Sequence, residues 1–208
     1  MNKYLAEFIG AFFLVLTIGC TVIGQGAGPL APLAIGSALM VMIFAGGHIS
    51  GGHFNPAVTL GVWLRGKCAA KDVAPYMISQ IIGAVLAAFA VKFLKGGSAV
   101  TPLQPAILPA LLAEFLFTFA LVYVVLNTAT AKGTSGNSFY GLAIGFTVLV
   151  GAFSVGNISG GAFNPAVAVG ISSMGLSPWP NIWIYLVADF VGGAAAAGAF
   201  KAVNPTDN

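Results

Sequence analysis

Apolar residues fall in long blocks separated by short polar or glycine-rich breaks. The first block runs from about Tyr4 to Ile23 and is broken by Gly24-Gln25-Gly26-Ala27-Gly28-Pro29. A second runs from about Leu33 to Gly46, a third from about Ala74 to Phe93. After the linker from Lys95 to Pro105, the plan repeats with blocks at about Ile107–Leu126, Tyr140–Val155 and Trp179–Phe200. These six blocks predict six membrane-spanning helices. Between the second and third block of each half lies a shorter apolar stretch. From Asn55 to Arg65 it would make about 16 Å of helix, roughly half a hydrocarbon core. It enters the membrane without crossing it.

Both short stretches begin with one phrase. Ile49-Ser50-Gly51-Gly52-His53-Phe54-Asn55-Pro56-Ala57-Val58 recurs as Ile158-Ser159-Gly160-Gly161-Ala162-Phe163-Asn164-Pro165-Ala166-Val167, differing only at His53 against Ala162. Ala6-Glu7-Phe8 returns as Ala113-Glu114-Phe115, and Tyr76 and Gly83 align with Tyr185 and Gly192. The chain therefore divides into repeats over residues 1–104 and 105–208. Three spans per repeat is an odd number, so the second repeat enters from the opposite face and the repeat is inverted.

Composition agrees with a membrane chain: 58% of residues are apolar, 6% are charged and mean hydropathy is +0.96. About 25% charged is usual for soluble domains. A net charge of +3 does not indicate nucleic acid, because the basic residues stand singly beside apolar blocks. They read as topology markers. Lys3, Arg65, Lys67, Lys71, Lys132 and Lys201 against Lys92 and Lys95 favour cytoplasmic N- and C-termini, in a plasma or inner membrane. Cys20 and Cys68 fall on opposite faces under this topology and make no disulfide. The first block shares the repeat, so it reads as a retained span rather than a cleaved leader. Trp63, Trp179 and Trp183 read as interfacial anchors.

Asparagine caps helix N-termini, and proline at the first helical position sacrifices no hydrogen bond. Asn55-Pro56-Ala57 and Asn164-Pro165-Ala166 are therefore helix starts. The glycines before them make irregular backbone, which a bilayer tolerates only when buried in protein or lining a cavity. Two such loops entering from opposite faces bring two positive helix ends together at the midplane, a place hostile to cations. The asparagine amides can donate to a neutral molecule passing there.

This pattern resembles the aquaporin and glycerol-facilitator family over essentially the whole chain. The resemblance implies an all-α hourglass of six spans and two re-entrant half-helices, one pore per subunit and a homotetramer in lipid. It also implies that Glu7 and Glu114 brace the loop backbones, and that small neutral solutes pass without cofactor or metal. One departure stands out. Most members carry arginine after the second box, where this chain has Val167. Counting from the boxes, the other residues of the usual narrow ring fall on Ile35, Ala152 and Gly161. Ile-Ala-Gly-Val carries neither charge nor side-chain donor, which predicts a wide, apolar filter unless bulk nearby, such as Phe153, swings in. Ala168 replaces the aspartate often found in glycerol facilitators.

Asp189 lies within the sixth block, aligned with Gln80, and an ionisable group at that depth is a functional candidate. It raises a proton-coupled transporter as an alternative; a closed structural pore is another. His48 and His53 lack further ligands for a metal, although His53 can line the pore and respond to pH. No nucleophile–base pair or phosphate loop appears, so an enzyme is not expected.

Overall fold

The computed structural model describes residues 1–24 and 26–207. Gln25, within the expected break after the first span, and Asn208 lie outside the described residues. Eight α-helices follow in order: α1 (Asn2–Val22), α2 (Ala31–Ser50), α3 (Pro56–Leu64), α4 (Ala70–Leu94), α5 (Ile107–Val125), α6 (Tyr140–Ser159), α7 (Pro165–Met174) and α8 (Ile182–Val203). Six are long and apolar enough to span a bilayer. The other two, α3 and α7, have nine and ten residues and stop half way.

Several helices extend beyond their apolar blocks. α2 and α6 continue to Ser50 and Ser159, where Gly51 and Gly160 close them in the left-handed conformation at φ 90° and 97°. α4 begins at Ala70, so Lys71 and Asp72 belong to its first turn rather than to a loop. Asp72 has a reason to be there. It accepts hydrogen bonds from Lys3 Nζ at 2.6 Å and the Tyr4 hydroxyl at 2.8 Å, tying α1 to α4.

Without water inside a bilayer to drive helices together, close van der Waals packing takes over, and small residues allow it. The repeat supplies them in pairs. A Cβ on Gly83 would lie 2.5 Å from the Phe8 carbonyl oxygen, and one on Gly192 would lie 2.8 Å from that of Phe115. These contacts fix α4 on α1 and α8 on α5. At the centre, a Cβ on Gly36 would meet the Gly145 carbonyl at 2.7 Å, and α2 and α6 touch backbone to backbone. Each half-helix packs against the third span of the opposite repeat, α3 on α8 and α7 on α4. The two repeats are thereby interlocked.

On the face carrying Lys67, the end of the chain folds back. Asp207 accepts from Arg65 Nη2 at 2.7 Å and from the Lys132 backbone N–H at 2.8 Å. The guanidinium of Arg65 also lies 4.7 Å from the Phe200 ring centre.

Candidate functional site: a pore between paired loops

The half-helices start as their sequence dictates. Asn55 and Asn164 are extended N-caps whose side-chain oxygens accept from the Ala57 and Ala166 backbone N–H groups at 2.8 and 2.9 Å. Their amide nitrogens do something the sequence did not reveal. Asn55 Nδ2 donates to the Phe163 carbonyl at 2.8 Å, and Asn164 Nδ2 donates to the Phe54 carbonyl at 2.9 Å. Each cap thus closes its own helix and holds the opposite loop. One N–H per amide is left over, and both asparagines line the central cavity.

Phe54 and Phe163 sit at φ 50° and 49°, a region costly for a bulky side chain. Buried packing compensates. The Phe54 ring occupies the space beside Gly10 and Gly46, and a Cβ on Gly151 would come within 2.6 Å of Phe163. Carboxylates hold the backbone on the other side. Glu7 accepts from the His53 and Phe54 N–H groups at 2.9 and 2.6 Å, from the Ser50 hydroxyl at 2.6 Å and from Gln80 Nε2 at 2.7 Å. Glu114 accepts from the Ala162 and Phe163 N–H groups at 3.0 and 2.7 Å. Tyr76 and Tyr185 complete the frame by donating to the Ser50 and Ser159 carbonyls at 2.8 and 2.7 Å.

Between the caps lies a narrow cavity of about 20 Å³, room for roughly one water. Its apolar wall is built from residues related by the repeat: Leu14 with Leu121, Ile18 with Val125, Ile35 with Ile144, Leu39 with Val148, and Val58 with Val167. Polar groups come from His53, Asn55 and Asn164 alone among the side chains lining it. Among the described residues lining this sleeve there is no Lys, Arg, Asp or Glu. His53 Nδ1 is 3.1 Å from the Thr59 hydroxyl, and the ring packs on Tyr76.

Larger spaces open at both ends. Toward Lys67 and Lys132 there are cavities of about 240 and 510 Å³, the smaller sharing His53 and Val125 with the neck. Toward Thr101 and Leu103 there is one of about 310 Å³ that shares Ile18 and Ile35.

The four residues of the expected ring are split between these spaces. Ile35, Gly161 and Val167 line the neck, whereas Ala152 faces the wider cavity beside Ile35. The α6 residues in the neck are Ile144 and Val148. The ring residues are apolar, and aliphatic side chains from α1, α2, α5 and α6 line the neck together with three of them. The expectation for Phe153 is corrected. This residue lines neither space and is 54% exposed, on a stripe with Leu142, Phe146 and Val150. Helical spacing puts that stripe on the outer surface of α6, so swinging Phe153 into the neck would require turning the helix. Asp189 is fully buried and likewise lines neither space.

Six spans, two half-helices meeting end to end and an uncharged neck between open vestibules define a transmembrane channel for small uncharged solutes. The description "Major intrinsic protein" matches residues 1–200, and the chain belongs to that family. Over its full length it is 38% identical to the glycerol uptake facilitator protein-like 6 of Lactiplantibacillus plantarum, also covering all of that protein. It is 36% identical to Aquaporin NIP1-1 of Oryza sativa subsp. japonica and 33% identical to Nodulin-26 of Glycine max, covering 76% and 79% of those chains. The fold is similar to the X-ray structure of the aquaglyceroporin from Plasmodium falciparum, with a TM-score of 0.81 at 22% identity, covering 98% of this chain and 97% of that one.

Proposed function

We propose that the chain is a passive channel whose selectivity rests on size and on the absence of charge in the neck. Water and solutes of similar width, including ammonia and dissolved gases, pass as the sleeve stands. Glycerol and urea pass when the leucine and isoleucine side chains rotate aside. The observation that carries this reading is the aliphatic sleeve, broken only by His53 and the two asparagine amides. A solute entering it gives up most of its hydration for a few hydrogen bonds, which a neutral molecule survives and an ion does not. The facing half-helix N-termini add a barrier to cations, the general logic of aquaporin-type pores. The name of the L. plantarum relative, a glycerol uptake facilitator-like protein matched over its full length, supports glycerol among the solutes.

Asn55, Pro56, Ala57, Asn164, Pro165 and Ala166 form the central filter in this reading, with Ile35, Gly161, Val167 and Ala152 on its approach. Glu7 and Glu114 keep both loops rigid. The exposed apolar stripes of α1 and α6, including Leu5, Ile9, Phe13 and Phe146, meet lipid and sister copies in a homotetramer. Both termini face the cytoplasm across a plasma or inner membrane, following the six-to-two lysine and arginine bias.

The test is light scattering on proteoliposomes under water, urea and glycerol gradients. Flux proportional to each gradient, without saturation or response to a proton gradient, is the expected result. Solute uptake driven by a pH gradient would overturn it in favour of a coupled transporter. The burial of Asp189 away from both neck and outer vestibule supports the passive reading.

A further inference from the structure

The two loops are braced by the same design with one substitution in it. In the first repeat, Gln80 Nε2 donates to Glu7 Oε2 at 2.7 Å and to the Thr59 hydroxyl at 3.0 Å. Thr59 in turn donates to the Asn55 carbonyl at 3.1 Å. The second repeat has Asp189 in the position of Gln80 and Ala168 in that of Thr59. The missing hydroxyl reappears one helix away, as Thr118 of α5, which donates to Asp189 Oδ1 at 2.9 Å.

Asp189 thus holds towards Glu114 the place in the repeat that Gln80 holds towards Glu7. Both carboxyl groups are fully buried. Asp189 Oδ2 has no donor among the described residues. The titratable groups facing Asp189 are Glu114 on α5 and Tyr185 on its own helix. Of the half-helices packed on α8, neither α3 nor α7 carries a titratable side chain, and Arg65, which follows α3, is paired with Asp207. Among the described residues no cation lies beside the two carboxyl groups. Glu114 is already committed as an acceptor to the Ala162 and Phe163 N–H groups. Only Asp189 is free to take the donor role that Gln80 fills in the other repeat, and it needs a proton to do so.

We infer that Asp189 and Glu114 share one proton, so that the second loop is braced by an acid–carboxylate pair where the first is braced by an amide. Asp189 is then a positioning residue for the loop that carries Asn164, acting through Glu114. That proton sets this bracing apart from the first repeat's, where Gln80 donates from a group that does not ionise. Loss of that proton sets two like charges against each other behind Ala162 and Phe163, while the Glu7–Gln80 side is unaffected.

Infrared spectroscopy of the purified, full-length protein in lipid tests this directly. The wild type is expected to show a protonated-carboxyl C=O band at neutral pH that shifts on deuteration. Asp189→Asn, which keeps an N–H donor, is expected to lose that band while retaining neutral-pH water flux. Wild-type flux is expected to fall severalfold towards strongly alkaline pH, and Asp189→Asn to lose that part of the decline. Asp189→Gln, a copy of the first repeat, covers the case in which the shorter amide fails to fold. Asp189→Leu, which removes the donor, is expected to lose flux at every pH. Absence of the band in the wild type would overturn the proposal, as would its persistence in Asp189→Asn and Asp189→Gln. The result stands apart from the solute reading, because the band and its loss do not depend on which solute passes.

Discussion

Asn55 and Asn164 each donate an amide hydrogen to a backbone carbonyl in the other's loop, at 2.8 and 2.9 Å. Neither loop is complete by itself, so the midpoint of the pore is also where the two repeats are joined. Replacing Asn55 by Ala removes a helix cap and leaves the Phe163 carbonyl without its donor. Together these cost about 2–4 kcal/mol. Asn164→Ala is expected to cost the same within about 1 kcal/mol. Thermal unfolding in detergent measures both, and a neutral effect of either would refute the mutual support.

The confined neck gives the next expectation. Leu14→Ala and Leu121→Ala each remove three methyl-sized groups from the sleeve on symmetry-related sides. Urea and glycerol flux should rise relative to water in both variants, by about tenfold if the steric barrier drops by ~1.4 kcal/mol. Unchanged solute-to-water ratios in liposomes would mean that the barrier lies elsewhere.

Val167→Arg puts a long cationic side chain on the first turn of α7, from which it reaches towards Gly161 and the open cavity at Ala152. Glycerol and urea flux should fall, on the order of tenfold for each ~1.4 kcal/mol added to their barrier. Water should keep most of its flux because the guanidinium replaces some of the hydrogen bonds it loses. Equal loss of water and solute would instead indicate a plug.

Asp207 clamps the buried guanidinium of Arg65, which is 6% exposed. Asp207→Ala strands that charge among apolar neighbours. A destabilisation on the order of 2 kcal/mol is expected, below the range for a wholly buried pair because Asp207 lies nearer the surface. A double variant with Arg65→Met should recover most of the loss in a thermal melt.

Cys68 offers a pH readout outside the spans. Burial, with Asp72 nearby, pushes its thiol above the ordinary cysteine range. The reactive species is the thiolate, so maleimide labelling should lag behind a free thiol at neutral pH and accelerate as pH climbs through the raised value. With Cys20, on the opposite face, replaced by Ser, access from the cytoplasmic side alone is expected, and labelling from the outer side would reverse the topology.

The fold was legible because its strongest signals are local and duplicated. Asn-Pro-Ala starts a helix whatever surrounds it, and Glu7 against Glu114 or Tyr76 against Tyr185 needed only alignment of the halves. The neck was less legible. Leu14, Ile18, Leu121 and Val125 are apolar residues on helices that are apolar all round, so nothing in their type separates pore from lipid. Phe153 was misplaced for the same reason. The left-handed Phe54 and Phe163 were missed because no local pattern calls for a bulky side chain there; the glycines that admit their rings lie on other helices.

The paired sleeve has a last consequence. The repeat matches Leu14 with Leu121, Ile18 with Val125 and Val58 with Val167, so a molecule travelling inward meets nearly the same surfaces in nearly the same sequence as one travelling outward. Such a conduit has little means of rectifying. The mismatch of His53 with Ala162 is the one break in the mirror at the loops themselves, and any preference for import over export has to originate there or in the unlike vestibules beyond.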